Sequence, residues 1–258
     1  MTGGTIAPAL IDELDREPGW MYPWELGRRR APLLHPLLES IHTTRVSMLA
    51  EPVRQALAGE GHRRALDLAC CEGWFAHRLL DWGADEVVGI DIRPQSVHRA
   101  ELVRDHLGIP EERLSFRAAD ALTVTPEELG EFDVVLCLGL IYHVENPMGV
   151  LRLARSITRG LCAVETQTAR IDGPVLFGFG AREAFEATDA AIAVHYEADH
   201  ASNPLASHAG ALSFCPNAPA VRMMLEAAGF SEVRPVIPGP DHDPDFHTGD
   251  RLVVLARP

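Results

Sequence analysis

The stretch ALDLACCEG, residues 65–73, decides the fold of this chain. Its apolar first half predicts a strand, its small residues predict a tight turn, and residues 73–80 predict a helix. A second run, EVVGID over residues 86–91, predicts a strand that ends in the acid Asp91. Small side chains let the backbone approach a ligand at the carboxyl edge of a parallel sheet, and an acid there can accept the hydroxyls of a ribose. The two strands therefore indicate a nucleoside-binding, Rossmann-like domain.

The same alternation of strand and helix continues along the chain. Helices are predicted at residues 94–107, 147–157 and 217–228, the first two beginning with proline. Strands are predicted at residues 65–69, 86–91, 114–117, 132–138, 161–165, 232–237 and 251–256. The fourth strand is almost continuously apolar, as expected where both faces of a sheet are covered. These elements predict an α/β fold with a mostly parallel seven-stranded sheet and a terminal antiparallel hairpin.

Two regions interrupt this alternation. Residues 1–60 predict an N-terminal helical cap, with a helix from about residue 32 to residue 57 that breaks at Pro52. The cap has alternating aromatic residues that either pack against the main domain or roof a substrate pocket, namely Trp20, Tyr22 and Trp24. The main domain is predicted to span residues 61–258. Within it, residues 167–212 are long and weakly periodic, which is typical of an irregular, lid-like insertion.

Composition and charge restrict the partners. The net charge is −14, and all 23 basic residues are arginine. Because an acidic surface repels a polyanion, a nucleic-acid partner is not expected. The absence of lysine excludes Schiff-base or P-loop chemistry by that residue. Five cysteines without a CxxC pair argue against a disulfide framework or a cysteine zinc site.

The sequence also carries expectations about location and assembly. It contains no apolar stretch long enough to span a membrane and no pattern of a signal peptide. We therefore expect a cytoplasmic protein without a membrane partner. The oligomeric state stays open, and a homodimer is compatible with the sequence.

The stretch 65–73 resembles the first motif of class I S-adenosylmethionine-dependent methyltransferases, in which an acid precedes three alternating glycines. Asp67 matches the acid, and Ala69, Cys71 and Gly73 stand where the glycines usually occur. Two of the three glycines are thus replaced, and Cys71 is the larger departure because this position often needs a left-handed backbone. The resemblance implies S-adenosyl-L-methionine as cofactor.

Further cofactor-binding residues follow from the same resemblance. Asp91 and Ile92 stand at the end of the second strand, where the ribose would bind. The stretch FRAADA, residues 116–121, resembles the family's adenine-recognition turn. Asp120 would accept from the adenine amino group, and the Ala121 amide would reach a ring nitrogen. The alternative for Asp120 is a helix or turn cap.

The stretch LCLGLIYHVENP, residues 136–147, resembles the fourth-strand motif. Its form is close to that of the tRNA wobble-uridine methyl or carboxymethyl transferases and their small-molecule relatives. The resemblance implies that Leu138 and Tyr142 flank the methionine and sulfonium portion of the cofactor. The basic residues with which the tRNA enzymes hold their substrate have no clear counterparts.

His143 and Glu165 are the candidate catalytic residues, since they lie at the ends of the fourth and fifth strands. His143 is either a general base or a structural histidine bonded to a backbone carbonyl. Glu165 ends an apolar strand, where an unpaired acid is costly. It either deprotonates the acceptor or serves as a structural cap or arginine partner. Arg45 either reaches the cofactor carboxylate from the cap or forms a surface ion pair.

No metal site is predicted. Acidic and histidine residues gather in the insertion and in the last hairpin loop, but without a recognised metal spacing. They are His195, Asp199, His200, His208, Asp241, His242, Asp243, Asp245 and His247.

The leading functional hypothesis is methyl transfer to a small-molecule acceptor, in specialised metabolite biosynthesis, because a lid and an aromatic cap suit an enclosed substrate. Transfer to tRNA is one alternative. A nucleotide-dependent oxidoreductase is another, which the missing GxGxxG turn disfavours. A non-catalytic cofactor-binding protein is a third, motivated by Cys71.

Overall fold

The computed structural model describes residues 6–171, 175–178, 185–198 and 210–258. The α-helices in these ranges are α1 Pro8–Leu14, α2 Leu37–Leu57, α3 Trp74–Asp81, α4 Pro94–His106, α5 Pro126–Leu129, α6 Pro147–Ile157, α7 Ala218–Ala228 and α8 Pro244–Thr248. The strands are β1 Glu25–Leu26, β2 Arg29–Arg30, β3 Arg64–Leu68, β4 Glu86–Asp91, β5 Leu114–Ala118, β6 Phe132–Leu138, β7 Thr158–Gln167, β8 Val175–Gly178, β9 Phe185–Thr188, β10 Ile192–Tyr196, β11 Leu212–Pro216, β12 Glu232–Pro235 and β13 Arg251–Arg257. A 3₁₀ turn covers Ile141–His143.

Seven of the strands form one sheet in the order β12-β13-β7-β6-β3-β4-β5. Strands β3 to β7 pair in parallel, and β13 pairs antiparallel with both β7 and β12. The predicted mostly parallel seven-stranded sheet with a terminal antiparallel hairpin is therefore confirmed. The strand order reverses at β3, which pairs with β4 on one side and β6 on the other. In such sheets the crevice outside the carboxyl ends at this reversal is where ligands bind.

The sheet is buried on both faces. Successive residues of β6 point to opposite sides, so Val134 and Leu136 belong to one core while Val135 and Cys137 belong to the other. Helices α2, α3 and α4 cover the first face, and α6 and α7 cover the second. This double cover explains why β6 is almost continuously apolar.

The N-terminal cap packs onto the first core. The cap aromatics are all buried there, which agrees with the alternative that they pack against the main domain; they are Trp20, Tyr22 and Trp24. Helix α2 begins five residues later than predicted and continues through Pro52, so the predicted break is wrong. An internal proline costs about 3 kcal/mol of helix stability. Burial of the apolar residues on either side of Pro52 outweighs this cost.

The insertion is more regular than its composition indicated. Within the described residues it contains two antiparallel ribbons, β8 with β9 and β10 with β11. The expectation of an irregular segment is wrong for these residues, because ladder hydrogen bonds hold strands whose apolar alternation is weak. No helix in the described ranges combines the length and apolarity needed to cross a membrane.

Candidate active site

A cavity of about 220 Å³ opens at the carboxyl edge of the sheet, beside the reversal at β3. Its walls come from the cap, from the ends of β3, β4 and β6, and from β7 and β13. The lining residues are Met21, Tyr22, Leu38, Ile41, His42, Arg45, Ala69, Cys71, Ile90, Asp91, Ile92, Arg93, Ala119, Asp120, Ala121, Leu138, Gly139, Leu140, Tyr142, His143, Val144, Gln167 and Arg251. Eight of the ten predicted cofactor-binding residues are among them, with Asp67 and Gly73 lying behind the wall.

The turn between β3 and α3 keeps the backbone shape of a glycine loop although two glycines are replaced. Ala69 has a φ of 67° and Cys71 a φ of 48°, both in the left-handed region. Gly73, at 75°, cannot take a side chain, because its Cβ would lie 2.5 Å from the Phe116 ring. Left-handed backbone at a non-glycine residue costs about 1–3 kcal/mol and persists where the surroundings hold it. Ala69 thus departs from the glycine pattern as much as Cys71 does.

Asp91 faces the cavity at the end of β4 in a fixed orientation. Its Oδ2 accepts the Cys71 N–H at 2.9 Å, and its Oδ1 accepts the Arg93 N–H at 2.8 Å. A carboxylate offers about four acceptor sites, and these two amides orient the group. Asp91 therefore presents an oriented carboxylate to the cavity, which is the kind of group that accepts hydroxyls at this edge of a sheet.

Three lining residues form the cavity end next to Asp91, namely Ile92, Asp120 and Ala121. Asp120 lines the cavity and also accepts the Leu122 N–H at 2.8 Å. The geometry is compatible with both interpretations of Asp120, adenine binding and a turn cap, because this residue caps the turn and also lines the cavity.

Asp67 lies behind the β3–α3 turn and has almost no exposed surface. Burial, and next the nearby charge of Asp91, raise its pKa to about 7, and its Oδ2 has no hydrogen-bond partner among the described residues. The Ala76 amide in the first turn of α3 opposes this rise. Asp67 therefore supports the turn from behind.

Leu138, Tyr142 and His143 line the cavity where β6 ends and the 3₁₀ turn begins. The rings of Tyr142 and His143 lie 4.1 Å apart, centroid to centroid. Burial lowers the pKa of His143 to about 4. The imidazole is thus neutral near pH 7, and its low pKa makes it a weak base in the absence of a partner that stabilises the protonated ring.

Glu165 has no exposed surface and lies between two arginines. Its Oε2 is 2.5 Å from Nη2 of Arg45 on α2, and its Oε1 is 2.9 Å from Nη1 of Arg251 on β13. The two guanidinium groups line the cavity, and the carboxylate lies beneath them. Of the alternatives left open for Glu165, the arginine-partner geometry is the one observed. Arg45 forms a buried ion pair, which corrects the alternative of a surface pair.

His42 sits between the cap and this ion pair. Its Nε2 is 3.0 Å from the Met21 carbonyl oxygen, and its Nδ1 is 3.3 Å from Nη1 of Arg45. A ring that donates to a carbonyl and accepts from a guanidinium is neutral. In agreement, burial first and then Arg45 hold the pKa of His42 well below its usual range.

Sequence reasoning missed His42, Gln167 and Arg251 as cavity residues. His42 and Arg45 are one helical turn apart, a spacing that could have grouped them. Arg251 opens an otherwise apolar strand, and an arginine at such a position needs a partner. Gln167 carried no pattern that distinguished it from a surface residue.

The cap is attached to the turn that it covers. Nε of Arg99 on α4 donates to Oε2 of Glu13 at 2.9 Å, and its Nη1 lies 3.6 Å from Oε1 of Glu72. Glu72, within the β3–α3 turn, accepts the Met21 N–H at 3.1 Å. Met21 and Tyr22 are thereby held over the cavity, so both alternatives for the cap aromatics apply at Tyr22, which is buried and lines the pocket.

Two of the acidic and histidine residues of the last hairpin loop make contacts within the fold. His242 lies 3.0 Å from the Ser47 hydroxyl, and Asp243 caps α8. His195 lies on β10, whereas Asp199, His200 and His208 fall outside the described residues. Across residues 6–171, 175–178, 185–198 and 210–258, no group of three or more histidine, cysteine or acidic residues could hold a metal ion.

A parallel sheet with an antiparallel β13, a tight turn after β3 and an acid at the end of β4 define a Rossmann-like nucleoside-binding protein of the methyltransferase type. A family model described as a methyltransferase domain matches residues 60–189, half of the chain. The chain belongs to this family.

Curated relatives match the central part of the chain. A tRNA U34 carboxymethyltransferase from Saccharophagus degradans is 31% identical over 45% of this chain and 35% of its own length. A ubiquinone biosynthesis O-methyltransferase from Bordetella avium is 31% identical over 41% of this chain and 42% of its own length. The matched segment therefore spans less than half of either relative.

A solved structure matches almost the whole chain. The N-terminal domain of EvdMO1 with SAH bound has a TM-score of 0.66 at 23% identity, covering 95% of this chain and 93% of that one. This similarity shows a shared fold over most of the chain.

S-adenosylmethionine is the cofactor of this family, and the cavity fits it. The left-handed β3–α3 turn lines the cavity with the small residues Ala69 and Cys71, and Asp91 presents an oriented carboxylate that can accept hydroxyl groups. Asp120, Leu138 and Tyr142 also line the cavity, and their assignment to the adenine and to the methionine portion stays a prediction.

Proposed function

We propose that this protein transfers a methyl group from S-adenosylmethionine to a small, partly apolar acceptor. The observation that carries the proposal is the make-up of the cavity beyond the cofactor residues. The apolar lining residues are Met21, Leu38, Ile41, Leu140 and Val144. The polar lining residues beyond them include His143, Gln167 and Arg251. Such a site suits a ligand with an apolar body and one polar group.

When bound, S-adenosylmethionine supplies an electrophilic methyl group on a sulfonium. Asp91 and Asp120 hold the nucleoside, and Met21 and Tyr22 exclude water from above. His143, neutral at pH 7, accepts the acceptor's proton. Arg251 and Gln167 orient its polar group. Alignment of the two reactants in one cavity supplies the main rate enhancement in such a transfer.

Charge favours a small acceptor over tRNA. The net charge is −14, and the cap covers the cavity. Methyl or carboxymethyl transfer to tRNA is the second candidate function, because relatives named as tRNA carboxymethyltransferases support it. Residence in the cytoplasm and a place in specialised metabolism stay predictions from the sequence, and the oligomeric state stays open.

The test uses purified protein and S-adenosylmethionine carrying a labelled methyl group. Acceptor pools of phenols, hydroxy acids and sugars are compared with total tRNA. We expect label in a small-molecule pool and none in tRNA. Label in tRNA would overturn the small-molecule acceptor. Tight binding of S-adenosylhomocysteine by calorimetry without transfer to any pool would favour a non-catalytic cofactor-binding protein.

A further inference from the structure

The insertion reaches the candidate active site through one carboxylate. Strand β11 pairs with β10 and lies against the 3₁₀ turn that carries His143. The pairing continues one residue beyond β10, where the Glu197 N–H donates to the Ala211 carbonyl at 2.7 Å. Oε1 of Glu197 then lies 4.0 Å from Nδ1 of His143, and both side chains are largely buried. Secondary-structure pairing therefore fixes where this carboxylate lies.

Charged groups from four elements act on the His143 ring. Burial lowers its pKa most, and Arg93 after β4 and Arg251 on β13 lower it further. Glu197 after β10 opposes them most strongly, and Glu165 on β7 does so more weakly. Removing Glu197 would therefore take away the carboxylate that most strongly opposes burial and the two guanidinium groups.

We propose that Glu197 is the positioning residue of a His143–Glu197 dyad. The carboxylate accepts a hydrogen bond from Nδ1–H and so leaves Nε2 as the nitrogen that takes the acceptor's proton. In a neutral imidazole one nitrogen donates and the other accepts, so a partner on Nδ1 sets the role of Nε2. The 4.0 Å separation exceeds hydrogen-bond length. Catalytic hydrogen bonds often tighten only in the substrate complex.

The dyad rests on the proposed function, and it takes up the proton that the acceptor releases during methyl transfer. The acceptor's O–H or N–H bond breaks, and its electron pair forms the new bond to the methyl carbon. The carbon–sulfur bond breaks with its electrons left on sulfur, giving S-adenosylhomocysteine. The proton passes to Nε2 and then to solvent. Because Glu197 belongs to the insertion, the base is complete only while β10 and β11 lie against the domain.

The test reads the His143 ring directly and needs no acceptor. Protein labelled with ¹⁵N-histidine is saturated with S-adenosylhomocysteine, and the His143 signals are assigned with the variant His143→Asn. We expect the Nδ1–H tautomer. In Glu197→Gln the pKa of His143 falls by about 1 pH unit and the tautomers mix, because an opposite charge at this range changes a pKa by about that much or more.

Two further variants separate the dyad from a general effect of charge or folding. Glu145→Gln removes a carboxylate two residues from His143 and leaves the ring signals unchanged. Glu197→Asp keeps the charge on a shorter side chain and gives an intermediate pKa. In the methyl-transfer assay, Glu197→Gln lowers kcat more than it changes KM.

The outcomes distinguish the two proposals. The dyad would be overturned by an Nε2–H tautomer in the wild type or by an unchanged His143 pKa in a folded Glu197→Gln variant. If S-adenosylhomocysteine still bound normally, the proposed function would stand. Failure of the wild type to bind S-adenosylhomocysteine would instead overturn the proposed function.

Discussion

Replacing Glu165 by glutamine removes the carboxylate that lies between two buried guanidinium groups. Its oxygens are 2.5 Å from Arg45 and 2.9 Å from Arg251, and those arginines are only 5% and 8% exposed. Glutamine keeps the size but not the charge, so two like charges stay in a region of low dielectric. Removing one partner of a buried ion pair costs about 3–5 kcal/mol.

The measurement is the free energy of unfolding in urea, together with the thermal midpoint. For a chain of about this size each kcal/mol lowers Tm by about 2–4 °C, so Glu165→Gln should lower it by roughly 10 °C. The matched control is Glu226→Gln, which removes an exposed partner of Arg222 on α7. An exposed pair of this kind contributes little to stability, so this variant should leave Tm almost unchanged.

A triple variant tests the reason for the loss. Methionine at Glu165, Arg45 and Arg251 removes all three charges, and we expect it to recover much of the stability that Glu165→Gln loses. A loss below about 1 kcal/mol in Glu165→Gln, on the scale of an exposed pair, would refute the buried-pair reasoning. If Glu165→Gln stayed stable and still lost kcat, Glu165 and not His143 would be the general base.

Three further predictions follow from the cavity walls and the β3–α3 turn. Asp91→Asn should weaken S-adenosylhomocysteine binding about 10–100-fold by calorimetry, because a hydrogen bond to a charged group contributes about 1.5–3 kcal/mol, whereas the exposed Asp105→Asn should leave the affinity unchanged. Gly73→Ala should lower the free energy of unfolding by about 2–5 kcal/mol, since its Cβ meets a ring at 2.5 Å on a left-handed backbone. Gly108→Ala has a similar φ and open space around it, so it should lose only about 1–2 kcal/mol, and equal losses would contradict the clash. Asp67 has a pKa of about 7 in the folded protein and 3.8 when exposed. Between these pH values the folded state binds more protons than the unfolded state, so the free energy of unfolding falls as the pH rises. Urea unfolding of Asp67→Asn at about pH 5 and about pH 7 should show a smaller fall than the wild type, and identical falls would show that Asp67 does not titrate in this interval.

The local pattern of the chain determined the sheet. Apolar runs alternate with capped helices, and each predicted strand of the main domain occurs within a few residues of its predicted bounds. Small residues after β3 and the acid at the end of β4 line the same cavity, because parallel strands bring their carboxyl ends to one edge. These features depend on neighbours in the sequence, which is why the sequence by itself was sufficient for them.

Tertiary structure alone decided the acceptor end. Arg45 and Glu165 are 120 residues apart, and Arg251 comes from a strand that returns antiparallel beside β7. Glu197 reaches His143 because β11 packs on the 3₁₀ turn. A carboxylate in the sequence can serve as a base or as a counter-ion, and its charged neighbours decide between the two. Those neighbours are set by strand order and helix packing, which the local pattern of residues does not encode.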